Sequence, residues 1–284
     1  MQLVFVARCL SLIFTLGVTL SFGQLILDPT QAFGTFPYLN PTEIQHQGLT
    51  QLRGKIYTKM PGEMIKETNG YIQFQFDSLG QTIYMLSYRP HRSFKDSIIH
   101  RFSYDRGLLV EHYAERNNDY TKTLYTFNQE LLESTEERIG LKIQGEELVV
   151  NRLDYHYSIK EAFKQTTDIH YHGGFAYKKQ EKLLDSLGRI FKVNEIEPLT
   201  GDTVTTQFFY NNIGQVVKKT VHEPTKVLTY SYTYQEDQQL SAVITYENMI
   251  KQAEIQIVYH RGSTQLNALL SLDSTTKLLE IIRF

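Results

Sequence analysis

Tryptophan is absent from this sequence of 284 residues, and cysteine and proline are scarce, with one and seven residues. An excess of positive charge is also lacking, because 29 lysines and arginines stand against 31 aspartates and glutamates. Nucleic-acid-binding proteins usually carry a basic patch, so we expect no nucleic-acid partner. Apolar residues make up 41% of the chain. A chain with this proportion can form a buried core, which excludes a disordered or collagen-like protein.

The N-terminal segment has the order of regions found in export signals. A short basic region ends at Arg8, an apolar run covers Leu10–Leu20, and small residues occupy Ser21 and Gly23 before Gln24. The run is too short to span a bilayer comfortably, so we predict a cleavable signal peptide at residues 1–23 and no transmembrane helix in the mature form. The ending Ser-Phe-Gly-Gln resembles signal peptides of Bacteroidetes-type bacteria. These features predict an exported protein that is periplasmic, outer-membrane-associated or secreted.

The single cysteine, Cys9, lies inside the predicted signal peptide. It follows Arg8 and precedes the apolar run, so it does not resemble a lipoprotein attachment site. Cleavage after Gly23 leaves a mature chain without cysteine, which excludes disulfides, thiolate catalysis and cysteine-ligated metals.

A short motif recurs along the chain: an aromatic residue, Asp or Asn, two further residues, and Gly. The clearest copies cover residues 76–81 and 210–215, residues 184–189 match with Leu in the aromatic position, and residues 104–107 form a shorter copy. Successive glycines are separated by 27, 81 and 26 residues, which fits a unit of about 27 residues with two poorly matching units in between. We predict that these turns are formed by Asp77, Gly80, Asp105, Gly107, Asp185, Gly188, Asn211 and Gly214.

Each unit is predicted to be a β-hairpin. In residues 72–76, apolar side chains alternate with glutamines, and residues 228–234 alternate Leu and Tyr with Thr and Ser, which is the period of a strand with one buried face. The predicted fold class is therefore all-β, an array of antiparallel β-hairpin repeats forming a curved or rolled-up sheet over residues 67–284. Residues 24–66, with four prolines and little alternation, are predicted to be an irregular lead-in.

These motifs resemble the Tyr-x-Tyr-Asp-x-x-Gly-x-Leu pattern of RHS repeats, also called YD repeats. Residues 71–83, 102–109, 208–216 and 232–240 carry the resemblance, with Phe or Leu for some tyrosines and Asn or Gln for some aspartates. The resemblance implies successive hairpins in a curved antiparallel sheet on an exported bacterial protein. Large RHS proteins wind such sheets into shells around toxic cargo. This chain is too short for a shell and has no evident cargo domain, so that function is not transferred.

One segment offers candidate metal ligands. Asp168, His170 and His172 occupy alternate positions of a predicted strand, so their side chains would share one face and could bind Zn²⁺. Two histidines at this spacing also occur as solvent-facing strand residues before a Gly-Gly turn, and no HExxH motif accompanies them. We therefore predict no catalytic residue, no metal and no cofactor. The three residues remain the candidates for an alternative function, an exported metal-dependent hydrolase.

An aromatic series runs along one side of the predicted hairpins, at positions 74, 76, 102, 104, 125, 127, 208, 210, 230, 232 and 234. Its main interpretation is a buried core, because cross-strand aromatic pairs stabilise sheets; the alternative is a partly open groove that binds glycan or peptide.

The sequence favours a non-catalytic exported cell-envelope or secreted protein whose repeat array is a binding or scaffold surface for an envelope protein or a glycan. A further alternative is an outer-membrane β-barrel, because the unit length allows membrane-spanning strands and the chain ends in Phe284.

Overall fold

The structure is a computed structural model that describes residues 26–27, 38–60, 62–90, 95–128, 131–161, 164–171 and 176–284. These residues form one short helix, α1 (Pro41–His46), and twenty strands. The strands are β1 (Ile26–Leu27), β2 (Tyr38–Leu39), β3 (Gln51–Thr58), β4 (Lys66–Phe76), β5 (Thr82–Pro90), β6 (Lys95–Asp105), β7 (Leu108–Arg116), β8 (Asp119–Asn128), β9 (Leu131–Ile143), β10 (Glu146–Glu161), β11 (Lys164–Tyr171), β12 (Ala176–Leu184), β13 (Ile190–Ile196), β14 (Thr203–Tyr210), β15 (Val216–His222), β16 (Val227–Tyr234), β17 (Leu240–Glu247), β18 (Ile250–Tyr259), β19 (Leu266–Asp273) and β20 (Leu278–Arg283). Within the described ranges, no helix is long and apolar enough to cross a membrane.

Strands β3 to β20 form one closed antiparallel sheet of eighteen strands. Consecutive strands pair with each other, and the last strand returns to the first, with Glu280 opposite Thr58 and Arg283 opposite Lys55. The prediction of an all-β array of antiparallel hairpins in a rolled-up sheet is confirmed, and the sheet closes into a barrel. The predicted boundary at residue 67 is displaced, because β3 lies inside the segment expected to be an irregular lead-in and supplies the closing strand.

The hairpin repeat places the motif turns at one end of the barrel. Antiparallel strands reverse direction at each turn, so turns that are two strands apart lie at the same end. The β4–β5, β6–β7, β12–β13 and β14–β15 turns, which contain the four motif copies, therefore share what we call the motif end. The β9–β10 and β17–β18 turns lie at the opposite end.

Helix α1 packs against the motif end. The side chain of Asn40 begins the helix by accepting a hydrogen bond from the Thr42 N–H, at 3.1 Å. Gln45 Nε2 donates to the Ser78 carbonyl in the β4–β5 turn at 3.1 Å, and Gln47 Nε2 donates to Thr264 Oγ1 in the β18–β19 turn at 2.7 Å. The core closed by this helix contains Leu39, Ile44, Ile56, Ile72, Phe74, Phe76, Met85, Val216, Tyr232, Leu240, Ile257, Leu266 and Ile282.

Tyrosines in the last or next-to-last position of the strands leading into motif-end turns bond each hairpin to the preceding one. In four hairpins the hydroxyl donates to the carbonyl of the first residue after the preceding motif-end turn. The bonds are Tyr104 to Thr82 at 3.0 Å, Tyr210 to Ile190 at 2.5 Å, Tyr234 to Val216 at 2.7 Å and Tyr259 to Leu240 at 3.0 Å. Tyrosine suits this position because its ring packs in the core while its hydroxyl satisfies a backbone acceptor on the neighbouring hairpin.

We expect Tyr234→Phe and Tyr259→Phe each to lower the free energy of unfolding by about 1 kcal/mol, because the ring is kept and only the hydrogen bond is lost. Urea unfolding of the single variants measures the difference. Tyr246→Phe is the control, since its hydroxyl has no hydrogen-bond partner in the part of the chain that the structure describes. Equal stabilities for all three variants would show that the bonds between hairpins do not contribute.

Candidate functional site

The two faces of the barrel wall are distinguished by their contact with the core. Ile72, Phe74 and Phe76 of β4 are buried in the core, and they alternate with Gln73 and Gln75. We call the face that carries the core residues the inner face and the other the outer face. Directly paired residues on neighbouring strands share a face, so the strand register extends this assignment around the barrel.

Near the motif end the inner face is aromatic. Phe74, Phe76 and Tyr232 are buried in the core, and Phe102, Phe208, Tyr210, Tyr230 and Tyr234 pack against it. The rings of Phe74 and Phe76 lie nearly parallel, with centroids 6.4 Å apart. At these eight of its eleven positions, the aromatic series forms a core or packs against it, as predicted.

Two histidines meet on the inner face, although the sequence did not single them out as a site. His100 Nδ1 of β6 lies 3.0 Å from His112 Nε2 of β7, and the His112 ring stacks on Phe102 with centroids 4.6 Å apart. Burial lowers the pKa of both histidines, and the neighbouring His100 helps to lower the pKa of His112 to about 4. Both rings are therefore neutral at pH 7, which allows one ring to donate its N–H to the lone pair of the other.

Charged and amide side chains occupy the inner face of β12 and β13. Lys178 Nζ lies 3.0 Å from Glu195 Oε2, and Gln180 Nε2 donates to Glu195 Oε1 at 2.9 Å. Lys182, opposite Val193, is half-buried, and burial lowers its pKa although Glu195 acts in the opposite direction. No carboxylate of the described residues forms an ion pair with Lys182. Its ammonium group is therefore partly desolvated without a direct counter-charge.

Beyond the core, the inner face is in contact with water. Ile255 lies two residues before the core residue Ile257, on the same face of β18, yet 44% of Ile255 is exposed. Arg89, two residues beyond the buried Ser87, reaches over β4 and β3 to Glu280 of β20, with Nη2 3.0 Å from Oε1. Lys219 places its ammonium nitrogen 5.2 Å from the centre of the Tyr230 ring. The inner face therefore changes from an apolar core at the motif end to a wetted polar wall.

The outer face carries rows of opposite charge across β6 to β10. One row of paired positions contains Arg101, Tyr113, Lys122, Arg138 and Arg152, and a neighbouring row contains Glu111, Leu124, Glu136 and Asp154. Lys122 lies 3.3 Å from Glu111, and Arg152 lies 2.6 Å from Glu136 and 3.2 Å from Asp154. We call these residues the outer ladder. Ion pairs of this kind are found on surfaces that face water.

Three of the predicted turn residues, Asp77, Asp185 and Asn211, begin their turns in the same way. The side-chain Oδ1 atom accepts hydrogen bonds from the backbone N–H groups two and four residues later, at distances between 2.8 and 3.2 Å. The glycines that follow have positive φ, +76° at Gly80, +76° at Gly188 and +87° at Gly214. Local side-chain hydrogen bonds and one left-handed residue therefore define the turn.

The shorter motif copy forms a different turn. Asp105 is the last residue of β6 and lies opposite Leu108, so it is the first of the four residues of this turn. Arg106 and Gly107 form the two-residue turn, with φ of +49° and +82°. Two successive left-handed residues are typical of the tight turns that suit the twist of a hairpin.

Two of the predicted metal candidates, Asp168 and His170, lie on β11. The backbone register places Asp168 opposite His156 and His170 opposite Asp154. His172 lies outside the described residues. That this segment binds no metal stays a prediction, and so does the alternative of a hydrolase site. The signal peptide at residues 1–23 also lies outside the described residues and stays a prediction.

The sequence matches no protein-family model and no curated protein. Among solved structures, a porin-like protein from Bacteroides vulgatus is similar over 81% of this chain and 95% of its own, with 13% identity and a TM-score of 0.34. A porin-like protein from Bacteroides uniformis is similar over 83% of this chain and 95% of its own, with 9% identity and a TM-score of 0.37. The structure of TcdB2-TccC3-TEV is similar over 79% of this chain and 15% of its own, with 10% identity and a TM-score of 0.29.

Proposed function

We propose that this protein is a non-catalytic exported binding protein of the cell envelope, which works in water and binds an acidic glycan at the inner face of its barrel. The observation that carries the proposal is Lys182, a partly desolvated lysine on the wetted inner wall that has no ion-pair partner among the described residues. Placing a cation there without a counter-charge is costly, and an anionic ligand would remove that cost.

The outer ladder supports a barrel that faces water. A membrane-spanning barrel needs an outward apolar band, and a lysine or arginine at the lipid midplane costs about 2–4 kcal/mol. Here one row of the outer face contains four cationic residues, Arg101, Lys122, Arg138 and Arg152. This arrangement disfavours the outer-membrane alternative.

The chemistry of the inner wall favours a sugar acid over a simple anion. Lys219, beside the Tyr230 ring, and Lys178, beside Glu195, lie on the same face as Lys182. Aromatic rings offer flat apolar faces for sugar rings, and ammonium groups bind carboxylates. Cations spread over β12 to β15 suit a chain of sugar acids better than a single small ion.

Binding of a defined glycan tests the proposal. The mature chain from Gln24, purified without detergent, is titrated calorimetrically with oligogalacturonate and with dextran of matched length. We expect binding of oligogalacturonate, no binding of dextran, and an affinity at least tenfold weaker in Lys182→Gln. The control is Lys218→Gln, which removes an exposed lysine from the outer face and should bind like the parent.

Two results would overturn the proposal. One is the absence of oligogalacturonate binding to a folded mature chain. The other is an equal loss of affinity in Lys182→Gln and Lys218→Gln, because the ligand would then respond to net charge and not to the inner wall.

A further inference from the structure

The two histidines of the inner face lie at the boundary between the apolar core and the wetted wall. His112 is paired with Phe102, which packs against the core, and His100 lies two residues before Phe102 on β6. Both histidines are partly exposed, so small ions from the solvent can reach their rings.

Stacking holds the two imidazole rings in position. The ring centroids of His100 and His112 are 5.2 Å apart and the ring planes differ by 11°, and Phe102 stacks on both rings. The facing nitrogens, His100 Nδ1 and His112 Nε2, are 3.0 Å apart. Two imidazole nitrogens on one tetrahedral ion are about 3.3 Å apart when each metal–nitrogen distance is about 2.0–2.1 Å. A small rotation of the rings is therefore enough for both nitrogens to bind the same ion.

Met85 adds a third donor atom, a thioether sulfur. Met85 of β5 lies directly opposite His100, so the two side chains share the inner face with Cβ atoms about 4.5–5.5 Å apart. Met85 is 3% exposed, and its flexible side chain can adjust the position of the sulfur. The described residues contain no group of three or more His, Cys, Asp and Glu side chains suited to a metal, so no described carboxylate completes the pair. The donor set is two imidazoles and one thioether, all of them neutral.

We propose that Met85, His100 and His112 bind one Cu⁺ ion. Thioether and imidazole ligands select Cu⁺ over harder cations. A monovalent ion also suits neutral ligands, because a divalent ion such as Zn²⁺ would place two uncompensated charges beside the core. When the ion binds, the ring that donates the N–H···N hydrogen bond carries its proton on its other nitrogen, so both rings bind as neutral imidazoles and no proton is released. This site is separate from the proposed glycan site, which lies on β12 to β15.

Competition for Cu⁺ tests the proposal. The metal-free mature chain from Gln24 is titrated, under argon and with ascorbate, into the coloured complex of Cu⁺ with bicinchoninate. We expect the parent to take up one equivalent, and we expect the affinity to fall at least a hundredfold in His112→Gln and at least tenfold in Met85→Leu, which keeps the volume of the core. The controls His222→Gln and Met249→Leu change an exposed histidine and an exposed methionine, and both should bind like the parent.

X-ray absorption at the copper edge provides a second measurement that needs no variant. The loaded parent should show one sulfur and two nitrogen neighbours, and a spectrum with nitrogen and oxygen neighbours alone would overturn the proposal. So would a parent that takes no Cu⁺ from bicinchoninate, equal affinities in His112→Gln and His222→Gln, or Zn²⁺ bound as tightly as Cu⁺. None of these results depends on oligogalacturonate, so the glycan proposal stands or fails separately.

Discussion

Gly80→Ala is expected to destabilise the barrel more than an alanine in any other motif turn. Gly80 has φ of +76°, and an added Cβ would lie 2.0 Å from the Pro41 carbonyl oxygen and 2.8 Å from the Gln45 backbone nitrogen. Both contacts are with backbone of α1, so the helix must move away and expose Ile44, which is 0% exposed. We expect a loss of about 3–5 kcal/mol, the sum of left-handed backbone strain and the lost burial of one isoleucine.

Gly188→Ala is the matched control for this prediction. Gly188 has the same φ of +76° in the same kind of turn, but an added Cβ would meet nothing within 4 Å. Only the backbone strain remains, about 1–2 kcal/mol. Urea unfolding of both variants gives the difference between them, which reports the docking of α1. If the two variants lose the same stability, the helix does not contribute to the stability of the motif end.

Acidification is expected to weaken the barrel through the His100–His112 pair. Burial lowers the pKa of both histidines, that of His112 to about 4. Above pH 6.5 the two rings are neutral in the folded and in the unfolded chain, so they add no pH dependence. As the pH falls from 6.5 to 4, His112 of the unfolded chain takes up a proton first, and stability falls by roughly 1.4 kcal/mol per pH unit at this residue. The lowered pKa of His100 adds to the loss in the same direction. His112 alone should account for about 3 kcal/mol by pH 4.

Urea unfolding at pH 7 and at pH 4.5 measures this loss. His112→Gln should flatten the pH dependence, because glutamine does not titrate. His222→Gln, which replaces an exposed histidine of β15, should keep the steep dependence of the parent. A parent and a His112→Gln variant with the same slope would contradict the assignment of the acid sensitivity to this pair.

The local structure of this protein could be predicted because it depends on residues that are close in sequence. Alternation in residues 72–76 indicates one buried face, and Asp77 with Gly80 indicates a turn whose hydrogen bonds span only four residues. The spacing of the motifs likewise indicates hairpins in series, since each hairpin forms between neighbours. The aromatic core follows from the same alternation, because every second residue of a strand faces the same side.

The histidine pair could not be predicted in this way because of one bulge. Counting outward from the Arg106–Gly107 turn, with Asp105 opposite Leu108, sets His112 opposite Arg101 on the outer face. A register shift between Ser103 and Tyr104 moves His112 opposite Phe102 and therefore onto the face of His100. An extra residue in one strand changes the face of everything beyond it, and no motif in the sequence marks its position.

The sequence alone predicts the all-β class, the hairpin unit and the turn hydrogen bonds at Asp77, Asp185 and Asn211, because each depends on residues only a few positions apart. Long-range contacts alone establish that β20 pairs with β3 and that α1 covers the motif end. Among the described residues, they also leave residues 146–152 of β10 paired only with β9. A hairpin in an open sheet and a hairpin in a closed one have the same local pattern. Closure depends on the total twist and the total register shift of eighteen strands. Long-range strand pairing sets both quantities, and no single repeat does.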